Sequence, residues 1–122
     1  MILLDTSALI WLEQGHKRTR ALADGSKRLY ISPASLLELQ FLLEAGRIRL
    51  RGLDVADVAD REFWLLDDPP AGPWFTRALD LSWTRDPFDR LLVAHARLRG
   101  WRLATADAVL LEHLSPSERV AV

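Results

Sequence analysis

The chain has 122 residues, of which 49% are hydrophobic and 27% are charged, with a net charge of −1. This length fits a single domain over residues 1–122, and the composition is typical of a globular protein. No apolar run reaches the roughly 18 residues that span a bilayer, and the N-terminus has no secretory-signal pattern. We therefore expect a cytoplasmic protein without membrane contacts. Cysteine is absent, which excludes disulfides and thiolate metal sites.

Short apolar runs alternate with helical patterns along the first half of the chain. Ile2–Leu4 predicts a strand, and Thr6 or Ser7 can cap a helix that extends to about Leu12. Ser32-Pro33 is an N-cap followed by proline at the first helical position, which predicts a helix to about residue 45. The remaining predictions are a short helix at 19–23 and a strand at 29–31.

The second half repeats the alternation. Residues 55–66 predict a helix, 67–73 a loop, and 73–79 another helix. Asp86-Pro87 begins a helix that ends near Gly100. The last predicted elements are a strand at 101–104, a helix at 106–113 and a strand at 119–122. Strands that alternate with helices predict an α/β fold, in which helices cover both faces of a central parallel sheet.

Five acidic residues lie where these predicted strands end or the next helices begin. Asp5 follows the first strand, and Glu38 lies in the early turns of the helix after the second. Asp107 follows the strand at 101–104, while Asp86 and Asp89 share one face of a helix start. Ligands of open α/β sheets bind beyond the carboxyl ends of the strands. We therefore predict that the five acids meet at this edge.

Each acid also has a purely structural explanation. The four aspartates could cap helices or complement the helix dipole, and Glu38 could form a capping box with Ser35. Capping does not explain why so many acids gather where like charges repel, whereas a divalent cation removes that repulsion. Basic clusters, such as Arg47, Arg49 and Arg51, could flank the site and attract a phosphate backbone. They could equally be solvated surface.

An acidic cluster of this kind suits magnesium or manganese, which prefer carboxylate and water ligands. Such an ion can activate water and stabilise the leaving oxygen of a phosphodiester, so the protein needs no nucleophile of its own. The sequence contains no nucleophile elbow and no phosphate-binding loop. The three histidines lack metal-ligand spacing, and His95 lies on the apolar stripe of its helix, which favours the edge of the core.

Four segments occur in a characteristic order: ILLDTS at 2–7, SPASLLE at 32–38, RDPFDRLLVA at 85–94 and LATAD at 103–107. With these residues the chain resembles the PIN-domain family, specifically the VapC-type toxins of bacterial type II toxin–antitoxin pairs. The resemblance covers nearly the whole chain. It implies a three-layer α/β/α sandwich with a central parallel sheet. It also implies a Mg²⁺-dependent endoribonuclease (Mn²⁺ being an alternative ion) that a cognate antitoxin restrains.

The same resemblance assigns roles to the acids. It implies that Asp5 and Asp89 are the primary metal ligands, that Glu38 and Asp107 complete the shell or orient water, and that Asp86 assists. The remaining matched positions are supporting hydroxyls at Thr6, Ser7 and Thr105, and arginines at Arg85 and Arg90 that could hold a phosphate. We expect RNA and an antitoxin as partners, together with a homodimer, and Trp11 could line a groove for such a partner.

Two alternatives remain open. Another metal-dependent phosphoryl-transfer enzyme is disfavoured, because a haloacid-type phosphatase needs an aspartate where Ser7 stands, and a receiver domain usually needs a lysine near its last strand. The only lysines are Lys17 and Lys27. A non-catalytic metal- or RNA-binding module is the second alternative, and it is disfavoured because none of the five acids is missing.

Overall fold

The computed structural model describes residues 1–122, and its centre is a five-stranded sheet in the order β3-β2-β1-β4-β5. Every neighbouring pair of strands is parallel, as predicted. The central strand lies in register with both neighbours, since Leu3 pairs with Tyr30 and with Leu103. The strands are β1 (Ile2–Leu4), β2 (Leu29–Ile31), β3 (Leu65–Leu66), β4 (Arg102–Thr105) and β5 (Arg119–Ala121).

Six α-helices connect and cover these strands. They are α1 (Thr6–Glu13), α2 (Pro33–Glu44), α3 (Val55–Ala59), α4 (Ala71–Ala78), α5 (Pro87–Arg99) and α6 (Ala108–His113), with 3₁₀ turns at Lys17–Thr19 and Pro116–Glu118. None of these helices has the length and apolar character needed to cross a membrane.

Two hydrophobic cores lie on opposite faces of the sheet, because successive side chains of a strand point to opposite sides. Leu3 belongs to the core beneath α4 and α5, which also contains Leu92. Ile2 and Leu4 belong to the other core, together with Leu9 of α1. The three-layer α/β/α prediction is confirmed, and the carboxyl end of β1 leads from the middle of the sheet directly into α1.

The largest difference from prediction lies at residues 55–66, where a single helix was expected. The helix ends at Ala59, and Leu65–Leu66 forms the edge strand β3, which pairs with β2. Between them the Trp64 indole is buried and donates from Nε1 to the carbonyl of Val58 at 3.0 Å. A buried side chain that folds back on the helix end breaks the helical path, and a two-residue strand is too short to show alternation in sequence.

Helix starts differ by smaller amounts. Asp5, rather than Thr6 or Ser7, is the N-cap of α1, because its carboxylate accepts from the N–H of Ala8. Helix α4 begins at Ala71, inside the predicted loop, and Pro73 fits its first turn because the N–H groups there have no intrahelical partner. Other boundaries also differ from the prediction. A 3₁₀ turn at 17–19 stands where a helix at 19–23 was expected, β4 begins at residue 102 rather than 101, and α6 begins at residue 108 rather than 106.

Candidate active site

The start of α5 presents the first two acids. Asp86 is the N-cap, and its Oδ1 accepts from the N–H groups of Phe88 at 2.8 Å and Asp89 at 3.2 Å. Pro87 follows at the first helical position, where its fixed φ suits the helix and no N–H is needed. The Oδ2 atom of Asp86 makes no hydrogen bond within the protein. The predicted cap therefore forms and still leaves one carboxylate oxygen free for a ligand.

Asp5 and Asp107 follow the neighbouring strands β1 and β4. The backbone N–H of Asp5 donates to the carbonyl of Ala104, which extends the strand pairing to the sheet edge. Asp5 caps α1 through Oδ1 at 2.8 Å from the N–H of Ala8. Asp107 caps α6 through Oδ1, which accepts from the N–H groups of Val109 and Leu110. Asp5 and Asp107 therefore each cap a helix and also lie at the carboxyl edge of the sheet.

Glu38 is not part of the expected capping box. The N-cap of α2 is Ser32, so Ser35 is already the third helical residue and Glu38 lies a turn further along. Ser35 is fully buried, and its hydroxyl accepts from that of Thr6 at 3.1 Å, which ties α1 to α2. Burial raises the pKa of Glu38 and outweighs the lowering effect of the neighbouring Thr6 hydroxyl, while the charge of Asp86 raises the pKa further.

The five acids lie within electrostatic reach of one another. Burial raises the pKa of Asp89 to about 7, and four acidic neighbours contribute: Asp86, Asp107, Glu38 and Asp5. Burial also raises the pKa of Asp5 to about 6, against hydrogen bonds from Thr105 and Ala8, with further increases from Glu38 and Asp107. Asp89 is half-buried and accepts no hydrogen bond from the protein. When the Asp89 carboxylate is ionised, no hydrogen-bond donor of the protein compensates its negative charge.

The donor set fits a hard divalent cation, because it consists of carboxylate oxygens with hydroxyls beside them. A cation would also relieve the repulsion that raises the pKa values of Asp5 and Asp89. As the side chains stand, no three acidic or imidazole groups are close enough to hold one ion. Mg²⁺ usually keeps several of its water ligands, so the cluster fits a partly hydrated ion rather than one enclosed by protein.

The other residues of the expected site occupy different places. The Thr105 hydroxyl is buried and accepts from the N–H of Asp107, whereas Ser7 is exposed and makes no hydrogen bond to the cluster. Arg85 is exposed and unpaired. Arg90 instead donates from Nε to the carbonyl of Thr84 at 2.8 Å, so it fixes the loop before α5. An arginine occupied in this way is a poor phosphate ligand.

Two further surface features concern the expected partners. Arg97 forms an ion pair with Glu118 and Arg99 forms one with Asp67, so the charges of these two neighbouring arginines are largely neutralised. The Trp11 ring stacks on that of His16, and the guanidinium of Arg18 lies over it. A groove of about 640 Å³ lies between α1, α2 and α3. It is lined by apolar residues that include Leu9, Ile10, Leu39, Leu50 and Val58, with Arg49 and Arg51 among its polar residues.

One buried polar network was missed in the sequence. His95 has no exposed surface, and its ring nitrogens lie 2.9 Å from Ser32 Oγ and 2.7 Å from Asp67 Oδ2. Arg99 donates to both carboxylate oxygens of Asp67. These contacts join the start of α2 to α5, the helices that carry Glu38 and Asp89. The only local feature of the sequence that could have indicated this network is that Asp67 directly follows the apolar pair Leu65-Leu66.

A parallel α/β sandwich with acidic residues around the carboxyl edge of its sheet defines a class of proteins that bind ligands at that edge. The PIN domain model matches residues 2–114, and the chain belongs to the PIN domain family. No curated protein sequence is significantly similar to the chain.

Two solved structures share the fold. A toxin–antitoxin complex from Klebsiella pneumoniae aligns with a TM-score of 0.70 at 18% sequence identity, covering 98% of this chain and 96% of that chain. FitAcB from Neisseria gonorrhoeae aligns with a TM-score of 0.56 at 20% identity, covering 99% of this chain and 96% of that chain. At these identities the similarity concerns the fold.

Proposed function

We propose that residues 1–122 form a single nuclease domain that acts as a Mg²⁺-dependent endoribonuclease, the toxin of a type II toxin–antitoxin pair. The observation that carries the proposal is the electrostatic state of Asp89. It is a half-buried carboxylate without a hydrogen-bond donor, and four neighbouring acids help to raise its pKa to about 7. A protein gains nothing in stability from such an arrangement, so a cationic ligand is its natural explanation.

The proposed roles follow from the surroundings of each acid. Asp5 and Asp89 would hold the ion, which can be Mg²⁺ or Mn²⁺, because their ionised forms most need a counter-charge. Glu38 and Asp107 would complete the shell or orient water, and Asp86 would assist with its free oxygen. When bound, the ion supplies activation of water and neutralisation of charge on the phosphodiester.

The protein's own contribution is to fix these groups in place. Backbone N–H donors hold one oxygen each of Asp5, Asp86 and Asp107, so those carboxylates are oriented before substrate arrives. Glu38 is held beside Thr6, and its raised pKa makes it a better proton acceptor for a water molecule that attacks phosphorus. PIN domains are generally nucleases that use divalent metals, which supports this assignment.

The choice of RNA rests on the resemblance to VapC-type toxins alone. The choice of an antitoxin partner rests on the same resemblance and is supported by the Klebsiella neighbour, which is a toxin–antitoxin complex. The groove between α1, α2 and α3 offers a partner an apolar surface with basic residues at Arg49 and Arg51. A second copy of the chain is the other proposed partner. It is supported by Phe75 and Leu79, which are one turn apart and 51% and 72% exposed.

The test is cleavage of total cellular RNA by the purified chain with Mg²⁺, with EDTA, and after the substitution Asp89→Asn. Asp80→Asn serves as a matched control, because Asp80 is exposed and lies outside the cluster. We expect discrete fragments only from the unmodified chain and the control, and only with Mg²⁺. Equal cleavage in every lane would contradict the proposal. Mg²⁺ binding without cleavage would favour a non-catalytic module, and cleavage of DNA alone would overturn the choice of RNA.

A further inference from the structure

Two phenylalanines lie beside the acidic cluster without belonging to either hydrophobic core. Phe88 stands between Asp86 and Asp89 at the start of α5, and Phe41 lies one turn beyond Glu38 on α2. Their ring centroids are 5.7 Å apart, and the ring planes make an angle of 73°. The two helices that supply acids to the cluster therefore also supply an aromatic pair at its border.

The pair is open to solvent. Phe41 is 52% exposed and Phe88 is half-buried. In an edge-to-face pair, one ring covers at most one face of the other, so part of the exposed Phe41 ring remains available. Leu37, one turn before Phe41, is also exposed and extends the apolar surface. Exposed aromatic carbon stabilises nothing in the isolated protein, and its burial against a ligand would be favourable.

We propose that Phe41 and Phe88 bind a nucleobase of single-stranded RNA next to the scissile phosphate and so position that phosphate over the acidic cluster. The proposal rests on the proposed nuclease function and identifies how the substrate is held. Every nucleobase offers a planar face, and stacking on aromatic side chains is the common way to bind single strands without sequence readout. The pair is then a substrate-binding element, while the acids perform the chemistry.

Electrostatics favours this occupant. Without a bound cation the cluster of carboxylates repels the phosphate backbone. Of the two arginines expected to help, Arg90 is bound to the Thr84 carbonyl, which leaves Arg85 alone. An uncharged contact near the cluster would therefore add affinity for the substrate. A base that is joined to the scissile phosphate through one sugar can reach the pair, because Phe41 and Glu38 are three residues apart on one side of α2 and the Phe88 ring lies 5.7 Å from that of Phe41. Stacking therefore supplies affinity where charge cannot.

The test compares Phe41→Leu, which keeps apolar volume but removes the ring face, with Phe41→Trp, which restores a face. Phe63→Leu is the matched control, because Phe63 is 64% exposed and lies near β3, away from the cluster. Steady-state cleavage of a fluorescent single-stranded RNA gives kcat and KM for each variant. Loss of a stacking contact raises a dissociation constant by roughly 5- to 150-fold. We expect KM to rise by about tenfold for Phe41→Leu, and kcat to change by less than about twofold.

In the same experiment, Phe41→Trp and Phe63→Leu should keep a KM close to that of the unmodified chain. An RNA with an abasic nucleotide beside the cleaved bond should lose about the same affinity, and Phe41→Leu should add little further loss on that RNA. An unchanged KM for Phe41→Leu would overturn the proposal. So would weaker self-association of Phe41→Leu in sedimentation without a change in KM, since the pair would then belong to an interface between protein copies.

Direct binding separates this proposal from the nuclease assignment. Fluorescence anisotropy of the same labelled RNA in EDTA reports binding without cleavage. If the chain binds RNA through Phe41 and never cleaves it, the nuclease proposal fails and the base-binding surface stands. If it cleaves RNA and Phe41→Leu binds as tightly as the unmodified chain, the base-binding proposal fails alone. Absence of both binding and cleavage would overturn both proposals.

Discussion

Nε2 of the fully buried His95 lies 2.7 Å from Oδ2 of Asp67, and this contact joins helix α5 to the segment after strand β3. On the other side of the ring, Nδ1 lies 2.9 Å from the hydroxyl of Ser32, which itself accepts from the N–H of Ala34. The Asp67 carboxylate can only accept, so Nε2 carries the hydrogen. Burial lowers the pKa of His95 and favours the neutral ring, whose Nδ1 then accepts from the Ser32 hydroxyl. The imidazole is neutral in this arrangement, and every polar atom of the network has a partner.

Removal of the carboxylate should destabilise the fold. Asp67→Ala leaves the Nε2–H of His95 buried without an acceptor and Arg99 without its ion pair. Leaving a buried donor unpaired costs about 1–3 kcal/mol. We expect the free energy of unfolding in urea to fall by that amount. Asp68→Ala is the control, because the neighbouring Asp68 is exposed and its side chain makes no hydrogen bond. Equal losses in both variants would contradict this role of Asp67.

Acid should weaken the same network. Burial lowers the pKa of His95 more than Asp67 raises it, so the folded state binds the proton less readily than the unfolded state. As pH falls below the ordinary value of about 6.5, the unfolded chain takes up a proton that the folded chain excludes, and stability is lost by up to about 1.4 kcal/mol per pH unit. Asp67, whose pKa is lowered, adds a further loss at lower pH as its carboxylate becomes protonated.

The measurement is thermal unfolding of the metal-free chain and of His95→Gln between pH 7 and pH 5. Glutamine can donate to Asp67 but has no proton to gain. The other acids of the protein titrate in both proteins and cancel in the difference. We expect the Tm advantage of the unmodified chain to shrink as pH falls. A constant or growing advantage would show that His95 is not held neutral.

The ionised Asp5 carboxylate should lower the stability of the metal-free fold while it is required for cleavage. Its folded pKa, about 6, is above the ordinary value of 3.8, so its stabilising contribution exists at low pH and is lost as pH rises through about 6. At pH 8 the buried charge therefore costs stability. Asp5→Asn removes that charge and keeps the α1 cap, since asparagine is an equally good N-cap. We expect the variant without metal to be more stable by about 1–2 kcal/mol, with cleavage abolished.

Differential scanning calorimetry in EDTA at pH 8 checks this prediction. Added Mg²⁺ should raise the Tm of the unmodified chain and leave that of Asp5→Asn unchanged, because only a state that binds the ion is stabilised by it. A Tm loss of several degrees for Asp5→Asn in EDTA would show that the carboxylate is a structural group.

Metal affinity should increase with pH across the neutral range. Asp89 and Asp5, with pKa values of about 7 and 6, must lose protons before they can bind a cation. We expect the apparent affinity for Mg²⁺ to rise by up to about tenfold per pH unit for each proton released, from pH 5.5 to pH 7.5. Calorimetric titration in two buffers of different ionisation enthalpy measures the released protons. An affinity that is independent of pH would place the ion away from these two residues.

Local signals made much of this fold predictable. Asp86-Pro87 and Ser32-Pro33 each begin a helix at the predicted residue, because a capping side chain and a fixed proline φ act within one turn. Gly100 ends α5 in the left-handed conformation with φ 71°, which glycine adopts without strain. The positions of the acids at the sheet edge followed from these boundaries, since strands of a parallel sheet share one carboxyl edge.

Tertiary contacts explain what the sequence could not show. The strand at Leu65–Leu66 exists because it pairs with β2, and its two residues carry no alternation of their own. His95 looked like a core-edge residue because its two partners, Ser32 and Asp67, are distant in sequence. Arg90 matched a phosphate-binding position, and only the loop carbonyl at Thr84 reveals its structural use.

The most direct test of the central claim measures metal binding and RNA cleavage in the same samples. Mn²⁺ is titrated into the unmodified chain and into Asp89→Asn, bound ion is followed by electron paramagnetic resonance, and cleavage of a labelled RNA is followed in parallel. We predict that both signals rise at the same Mn²⁺ concentration in the unmodified chain and that both are lost in Asp89→Asn. Cleavage that needs no ion, or that persists in Asp89→Asn, would contradict the claim.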